Sequence, residues 1–298
     1  MRFALLLAPA LVAACGNSEP PNHSAAKPIA ATPALDASTS TALVPCPVEK
    51  PSLGAGLTVE RWPLNATPAG PAVGGPAPCI DVVRADSTRF TLRLLSQKDE
   101  GAPRDAPAWL SAFHLSAVIN AGMFHDNGSP VGLIVADGVE RSARNTKMSG
   151  YLAWDPVDAN DPPVALAGAD CGSFDLPALR AHYHSIVQSY RLLGCDGAAI
   201  SWLDPKQYSA AAIGLDRTGR VVLLHARAAV TMAELSRAVA THDLTGALFL
   251  EGGPEASLVA KGSEGELSRV GSYETKFVEN DENHVFWTLP NVIGLLPR

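Results

Sequence analysis

The sequence predicts an α+β fold, a single mixed domain rich in antiparallel strands with a few packed helices, over residues 50–298. Short segments in which polar and apolar residues alternate indicate strands with one buried face. Asp-Gly and Asn-Gly pairs occur near such segments and are typical of hairpin turns. Helix-start signals occur at few places, so we expect the helices to be a minority of the fold.

Strands early in this domain are predicted from alternation and from apolar runs. Residues 89–94 alternate polar and apolar side chains, and the apolar run 116–119 ends at Asn120. Residues 124–140 form a predicted hairpin, with an Asp-Gly turn at 137–138. These segments predict antiparallel neighbours, because such short turns can join only antiparallel strands.

Two helices are predicted from their first residues. Asp175 precedes Leu-Pro, and proline suits the first turn of a helix. Thr231 and Glu234 have the spacing of a capping box, in which the hydroxyl and the carboxylate each accept a free backbone N–H. This motif predicts a helix over 231–241 that leads into a strand at 246–250.

The N-terminus has the features of an export signal. One basic residue and a short apolar run precede small residues and Cys15, which describes a secretory signal too short to span a bilayer. Residues 12–15 resemble a bacterial lipoprotein cleavage box, which implies removal of residues 1–14 and attachment to a membrane through lipid on Cys15. Gly16 in place of Asp favours an outer membrane lipoprotein facing the periplasm or cell surface. An ordinary signal peptide that happens to contain Cys15 is the alternative.

Residues 15–49 predict a flexible tether, because Ala, Pro and Ser dominate there and little apolar bulk is available for burial. Four further cysteines, at 46, 79, 171 and 195, are expected to form disulfides in an oxidising compartment. Four cysteines allow three connectivities, which the sequence does not distinguish, although proximity favours 46–79 and 171–195. The sequence contains no CxxC pair, so the cysteine spacing does not indicate a zinc site.

Charge excludes one class of partner. The formal net charge is −7 and the sequence contains no block of Lys and Arg, so we expect no nucleic-acid partner. Hydrophobic residues make up 47% of the chain, which is enough for a substantial core.

The segment Leu248–Gly253 is the strongest candidate for a site. An apolar run ends there in Glu251, and a charged group at the end of a buried strand is costly unless it binds or pairs with something. Gly252 and Gly253 allow backbone or ligand to approach closely. The alternative is a strand-to-turn junction in which the glutamate caps a turn.

Four segments in order resemble the phosphodiester glycosidase family, and the likeness covers roughly residues 79–298. The family's Asn-Gly-Gly-Phe-Phe is similar to 120–124 (Asn-Ala-Gly-Met-Phe), and its Gln-Ser-Gly-Pro to Gln-Ser-Tyr-Arg at 188–191. Its Ala-Ile-Gly-Leu-Asp strand matches 212–216, and its Leu-Asp-Gly-Gly-Gly-Ser resembles Leu-Glu-Gly-Gly-Pro at 250–254. The resemblance implies hydrolysis of a glycosidic bond at the anomeric carbon of a sugar phosphodiester or a related envelope glycan.

Three departures from the family pattern bear on the substrate. Ala210 stands where the family usually has an arginine, a natural partner for a phosphodiester. Glu251 replaces Asp and is longer by one methylene, and the family's Gly-Pro pair is Tyr190-Arg191. A non-catalytic, glycan-binding surface lipoprotein with a degenerate cleft is therefore the alternative function.

Candidate catalytic residues are two carboxylates, because glycoside cleavage usually uses a pair. We predict Glu251 as base or nucleophile, against a structural cap, and Asp196 as the second carboxylate, against an ordinary Asp-Gly turn. Lys206, which can also be read as a solvated loop residue, is the best substitute for the missing arginine.

Candidate substrate-binding residues come mainly from the resemblance. Asn120 and Gly122 end a predicted strand, where the amide could hold a sugar hydroxyl or a phosphate oxygen. Gln188 and Ser189 could add hydrogen bonds, although a turn residue is the alternative for the serine. We expect these side chains to line one polar hollow with Glu251.

No cofactor and no required metal are predicted. His182 and His184 lie two apart on a predicted helix and would point to different faces, so they do not suggest a shared metal site.

Overall fold

Antiparallel strands build the structure, a computed structural model that describes residues 46–48, 51–54, 56–64, 78–172 and 174–298. The predicted signal peptide 1–14, the lipidation site Cys15 and most of the predicted tether lie outside the described residues. Those predictions stay predictions.

Two sheets contain all the strands named here. In chain order the strands are β1 (Ser52–Gly54), β2 (Leu57–Pro63), β3 (Cys79–Ala85), β4 (Phe90–Ser96), β5 (Ala117–Asn120), β6 (Ile134–Ala136), β7 (Val139–Ser142), β8 (Gly150–Pro156), β9 (Val164–Gly168), β10 (Tyr183–Arg191), β11 (Gln207–Asp216), β12 (Val221–Thr231), β13 (Leu244–Gly252), β14 (Ser257–Gly262), β15 (Gly265–Val270) and β16 (Asn291–Pro297). The larger sheet has the order β1-β2-β3-β12-β11-β13-β10-β6-β7, with β8 also on β10 and β9 on β8. The smaller sheet has the order β15-β14-β5-β16-β4.

Four short α-helices complete the described part of the chain: α1 (Gln97–Glu100), α2 (Ala106–Ala112), α3 (Leu176–His182) and α4 (Met232–Ala240). The predicted α+β character and the dominance of antiparallel strands are thus confirmed. No helix among the described residues is long and apolar enough to cross a membrane.

Local signals account for the helix ends. At α4, the hydroxyl of Thr231 accepts from the N–H of Glu234 and the Glu234 carboxylate accepts from the N–H of Thr231, which confirms the predicted capping box. α3 begins after Asp175 as predicted but ends at His182. His184 lies on β10, so its predicted place on that helix is wrong. Pairing of β10 with β8 from Tyr183 onward prevails over local helix propensity.

The main core lies between the two sheets. Each large aliphatic side chain buried there contributes about 1.5–3 kcal/mol relative to exposure. The larger sheet contributes Val83, Ile213, Leu223 and Leu248, and the smaller sheet contributes Ile119, Leu258, Ile293 and Leu295.

Smaller apolar clusters lie on the other faces of the sheets. The apolar side of α4 packs on the larger sheet through Leu235 and Val239. Trp109 of α2 packs on the smaller sheet, and its indole N–H donates to the carbonyl of Leu289.

Two disulfides join cysteines that are near in sequence, Cys46–Cys79 and Cys171–Cys195. This confirms the pairing that proximity favoured. The strand ends that matter for the site are the last residues of β13 and β5 and the first residues of β11, because the residues discussed next lie there.

Candidate active site

A bulge at the end of β13 sets the direction of the Glu251 side chain. Phe249 pairs with Ala212 on β11 and Glu251 pairs with Ala211, so Leu250 has no partner. Strict alternation would put Glu251 on the face of Phe249. Because residues opposite each other share a face, the bulge turns Glu251 toward Ala211, which belongs to the core between the sheets.

Glu251 is partly buried and has few partners. One carboxylate oxygen accepts from the N–H of Gly252, 3.0 Å away. Burial raises the pKa of Glu251 to about 8, and the charges of Glu255 and Glu274 add to this increase, while the Gly252 N–H opposes it. At neutral pH this carboxyl is therefore mostly protonated.

Glu255 and Glu274 complete a cluster of three carboxyl groups. Burial is the largest cause of a raised pKa in both, and for Glu255 the charge of Glu274 adds to it. Glu255 ends the short 3-10 helix Gly253–Glu255. Among the described residues none of the three lies in an ion pair, since the paired glutamates are Glu60, Glu100, Glu140 and Glu266.

Gly253 lies between two of these carboxylates. Its φ is +73°, and a Cβ there would stand 2.6 Å from Glu274 Oε2 and 3.2 Å from Glu255 Oε2. A side chain would therefore meet both backbone strain and the acids. Gly252 differs, because a Cβ on it would lie 3.1–3.2 Å from the Tyr208 side chain.

Glu274 reaches the cluster through the connection between β15 and β16. Tyr208 at the start of β11 forms an isolated bridge with Glu274, and the N–H of Ser209 donates to the carbonyl of Tyr273. Burial raises the pKa of Tyr208 to about 12, with the charges of Asp204 and Glu274 contributing. The phenol therefore stays protonated beside the acids.

Lys206 lies just before β11 with an exposed side chain. Its charge lowers the pKa of Glu274 against the larger effect of burial. The lysine chosen in place of the missing arginine thus stands near the acid cluster. Contact with a substrate stays a prediction.

Asn120 is buried at the end of β5. Both the nitrogen and the oxygen of its side-chain amide form hydrogen bonds with backbone groups. Its Nδ2 donates to the carbonyl of Glu255 at 3.0 Å, and its Oδ1 accepts from the N–H of Ser257 at 2.9 Å. Gly122 has φ +109° in the turn that follows. The predicted contact of Asn120 with a sugar or phosphate has no support from these bonds, which use the amide internally.

Gln188 and Ser189 lie within β10, so the alternative of a turn for the serine is wrong. The Gln188 amide oxygen accepts from the N–H groups of Leu133 and Asn145, and its nitrogen donates to the carbonyl of Met148. The hydroxyl of Ser189 donates to the carbonyl of Phe249, two residues before Glu251. These bonds are structural, and substrate binding by this pair stays a prediction.

Asp196 lies in an exposed turn, where its Oδ1 accepts from the N–H of Ala198. The carboxylates whose charges act on Glu251 are Glu255 and Glu274. One feature of the sequence could have indicated Glu255 as a site residue, namely its position four residues after Glu251. Glu274 follows no strand or helix pattern, and only the folded chain brings it to Glu251.

Three ligand-type groups meet at Asp170, Cys171 and Cys195. The two sulfurs are joined in a disulfide, so this group does not offer thiolates to a metal.

Chemically, the glutamate cluster can donate a proton from Glu251 and hold a second carboxylate beside it. This is the composition of a glycoside-cleaving site.

Comparisons with known proteins give one family match and two similar folds. The model of a family described as phosphodiester glycosidase matches residues 113–296. The fold is similar to the catalytic domain of zebrafish N-acetylglucosamine-1-phosphodiester alpha-N-acetylglucosaminidase, auto-inhibited by its pro-peptide, with a TM-score of 0.59, 13% identity and coverage of 84% of this chain and 86% of that one. It is also similar to a hypothetical protein from Synechocystis, with a TM-score of 0.56, 15% identity and coverage of 82% and 62%. Among curated proteins, none matches the sequence significantly.

Proposed function

The chain belongs to the phosphodiester glycosidase family, and from this premise we propose that it hydrolyses a glycosidic bond at the anomeric carbon of a sugar phosphodiester or a related envelope glycan. The observation that carries the proposal is the cluster of Glu251, Glu255 and Glu274, none of which forms an ion pair within the described part of the chain. Burial favours the protonated form of Glu251 in this cluster. The substrate named for the zebrafish relative is a property of that protein, and here it only guides the choice of test compounds.

Glu251 acts as the general acid in this proposal. A carboxyl group with a pKa of about 8 is protonated at neutral pH and can donate to the leaving oxygen. The sequence suggested base or nucleophile for this residue, and the raised pKa is the reason to assign the acid role instead. After departure of the leaving group the carboxylate can accept a proton from water.

Glu274 acts as the second carboxylate. Lys206 favours its ionised form, whereas the charges that act on Glu251 are those of Glu255 and Glu274. Glycosidases usually have two carboxyl groups in different surroundings, so that one is protonated and acts as the acid while the other is ionised. Glu255 adds negative charge that keeps the proton on Glu251. We therefore assign to Glu274 the role of second carboxylate, which the sequence analysis predicted for Asp196.

The charge of the site limits when an anionic substrate can bind. Three ionised glutamates would repel a phosphodiester, but a proton on Glu251 and the positive charge of Lys206 reduce that repulsion. Ala210 supplies no charge where the family usually has arginine. We expect the exposed Lys206 to contact the phosphate, with the backbone at Gly252 and Gly253 close to the sugar.

The test uses the chain from residue 46 and a panel of sugar-1-phosphodiesters and neutral aryl glycosides, with release of free sugar as the readout. Turnover by the wild type and its loss of at least ~100-fold in Glu251→Gln would support the proposal. Glu282→Gln is the matched control, because Glu282 is exposed and lies on the β15–β16 connection that also carries Glu274. Binding of a glycan without turnover in any variant would favour the non-catalytic lipoprotein.

For location, we propose an exported protein held at a membrane by lipid on Cys15. Two disulfides are typical of an oxidising compartment, which supports export. Attachment to the outer membrane rests on the sequence alone, and incorporation of labelled lipid, with Cys15→Ala as control, tests it.

A further inference from the structure

Residues 255–257, which begin at the last residue of the 3-10 helix, are held by buried side chains from both sheets. From the smaller sheet, the Asn120 amide bonds the carbonyl of Glu255 and the N–H of Ser257. From the larger sheet, His225 Nε2 lies 3.1 Å from the carbonyl oxygen of Ala256. We call this segment the acid turn, because it carries Glu255.

The two side chains are almost inaccessible to solvent. Asn120 is 1% exposed and His225 is 0% exposed. A polar group buried to this degree costs about 1–3 kcal/mol unless it is hydrogen-bonded. The side-chain amide of Asn120 is hydrogen-bonded to the acid turn on both sides, and these are its hydrogen bonds within the described part of the chain.

His225 bonds the acid turn in one tautomer. A carbonyl oxygen only accepts, so Nε2 carries the hydrogen and donates to Ala256. Its Nδ1 is buried without a hydrogen-bond partner in the described part of the chain. Burial lowers the pKa of His225 to about 4, despite the opposing effect of the Ala256 carbonyl and of Asp81. The ring is therefore neutral at neutral pH, which agrees with an Nδ1 that has no acceptor among the described residues.

Gly253, two residues before the acid turn, has a left-handed backbone and contributes no side chain to hold the turn. The Ala256 carbonyl also accepts from the N–H of Gly271, so the turn is fixed on several sides.

We infer that Asn120 and His225 are positioning residues that hold Glu255 beside Glu251 and Glu274. This inference rests on the proposed function for its effect on turnover, but its effect on the acid cluster is separate from any substrate. Asn120, which the sequence offered as a ligand contact, acts through the backbone of the acid turn.

The first experiment compares Asn120→Ala with Asn291→Ala. Asn291 is the matched control: it is 5% exposed, lies on the neighbouring strand β16, and its Nδ2 donates to the carbonyl of Gly128, away from the acid turn. We expect Asn120→Ala to lower kcat by at least ~10-fold with KM within about threefold. The reason is that a displaced Glu255 no longer keeps the proton on Glu251, and a misplacement of about 1 Å can cost up to 100-fold. Asn291→Ala should leave kcat within about twofold.

The second measurement needs no substrate. The pKa of Glu251, followed by carboxyl ¹³C NMR, should fall in Asn120→Ala, because Glu255 is no longer held near it, and should stay unchanged in Asn291→Ala. A shift in Asn120→Ala without turnover in any protein would support the positioning role and reject the proposed function. Equal effects of the two asparagine changes, or no shift with normal kcat, would overturn the inference.

His225 provides variants in case Asn120→Ala does not fold. His225→Leu removes the donor to Ala256, whereas His225→Gln keeps an N–H of similar reach. Recovery of the Glu251 pKa and of kcat in the glutamine variant, relative to leucine, would support positioning. Identical values in the two variants would contradict it.

Discussion

Replacing Glu251 by Gln should change how the stability of the protein depends on pH. Folding raises the pKa of this group from 4.5 to about 8, so the folded state favours the protonated form. The stability that this form provides is fully present below pH 4.5 and is lost as the pH rises through 8. Glutamine does not titrate, so the stability of the variant should not fall with pH for this reason.

The size of the effect follows from the shift. A change in pKa from 4.5 to about 8 corresponds to about 5 kcal/mol over the whole range. Between pH 5 and pH 8 the two-state linkage gives about three quarters of this. Because the side chain is partly exposed, we expect the free energy of unfolding of the wild type, relative to Glu251→Gln, to fall by about 3 kcal/mol over that interval.

Urea unfolding at several pH values, with the disulfides intact, measures this difference. Glu282→Gln serves as the control, and its difference from the wild type should stay nearly constant. A difference between wild type and Glu251→Gln that also stays constant within about 1 kcal/mol from pH 5 to pH 8 would refute the assignment of a protonated, buried Glu251.

Four further outcomes are expected. The kcat/KM of the wild type should fall above about pH 8, as Glu251 loses its proton, and a profile that rises through pH 9 would exclude it as the acid. Gly253→Ala should destabilise the fold by about 1–3 kcal/mol in urea unfolding, because alanine disfavours a positive φ; an unchanged midpoint would contradict the backbone described here. Replacing both Cys171 and Cys195 by serine should cost about 3 kcal/mol, from the 24-residue separation that the disulfide closes, and a loss below about 1 kcal/mol would contradict this reasoning. Cys15→Ala should abolish incorporation of labelled palmitate, and labelling that persists would reject the lipoprotein prediction.

The sequence alone determined the features that depend on neighbours in the chain. Alternating side chains and glycine turns predicted antiparallel strands, and the Thr231–Glu234 pair predicted the start of α4. Glu251 was identified because a charge that ends an apolar run is unusual on energetic grounds. Proximity also favoured the two disulfides that the structure contains.

The tertiary structure decided what depends on contacts between distant segments. Glu274 approaches Glu251 only because the β15–β16 connection pairs with the start of β11, and no local pattern encodes that pairing. The bulge at Leu250, which turns Glu251 toward the core, comes from the register of two strands. The internal hydrogen bonds of Asn120 and Gln188 are likewise long-range. Residue types could therefore indicate which groups are polar and buried, but whether each one meets a ligand or the protein's own backbone is set by the fold.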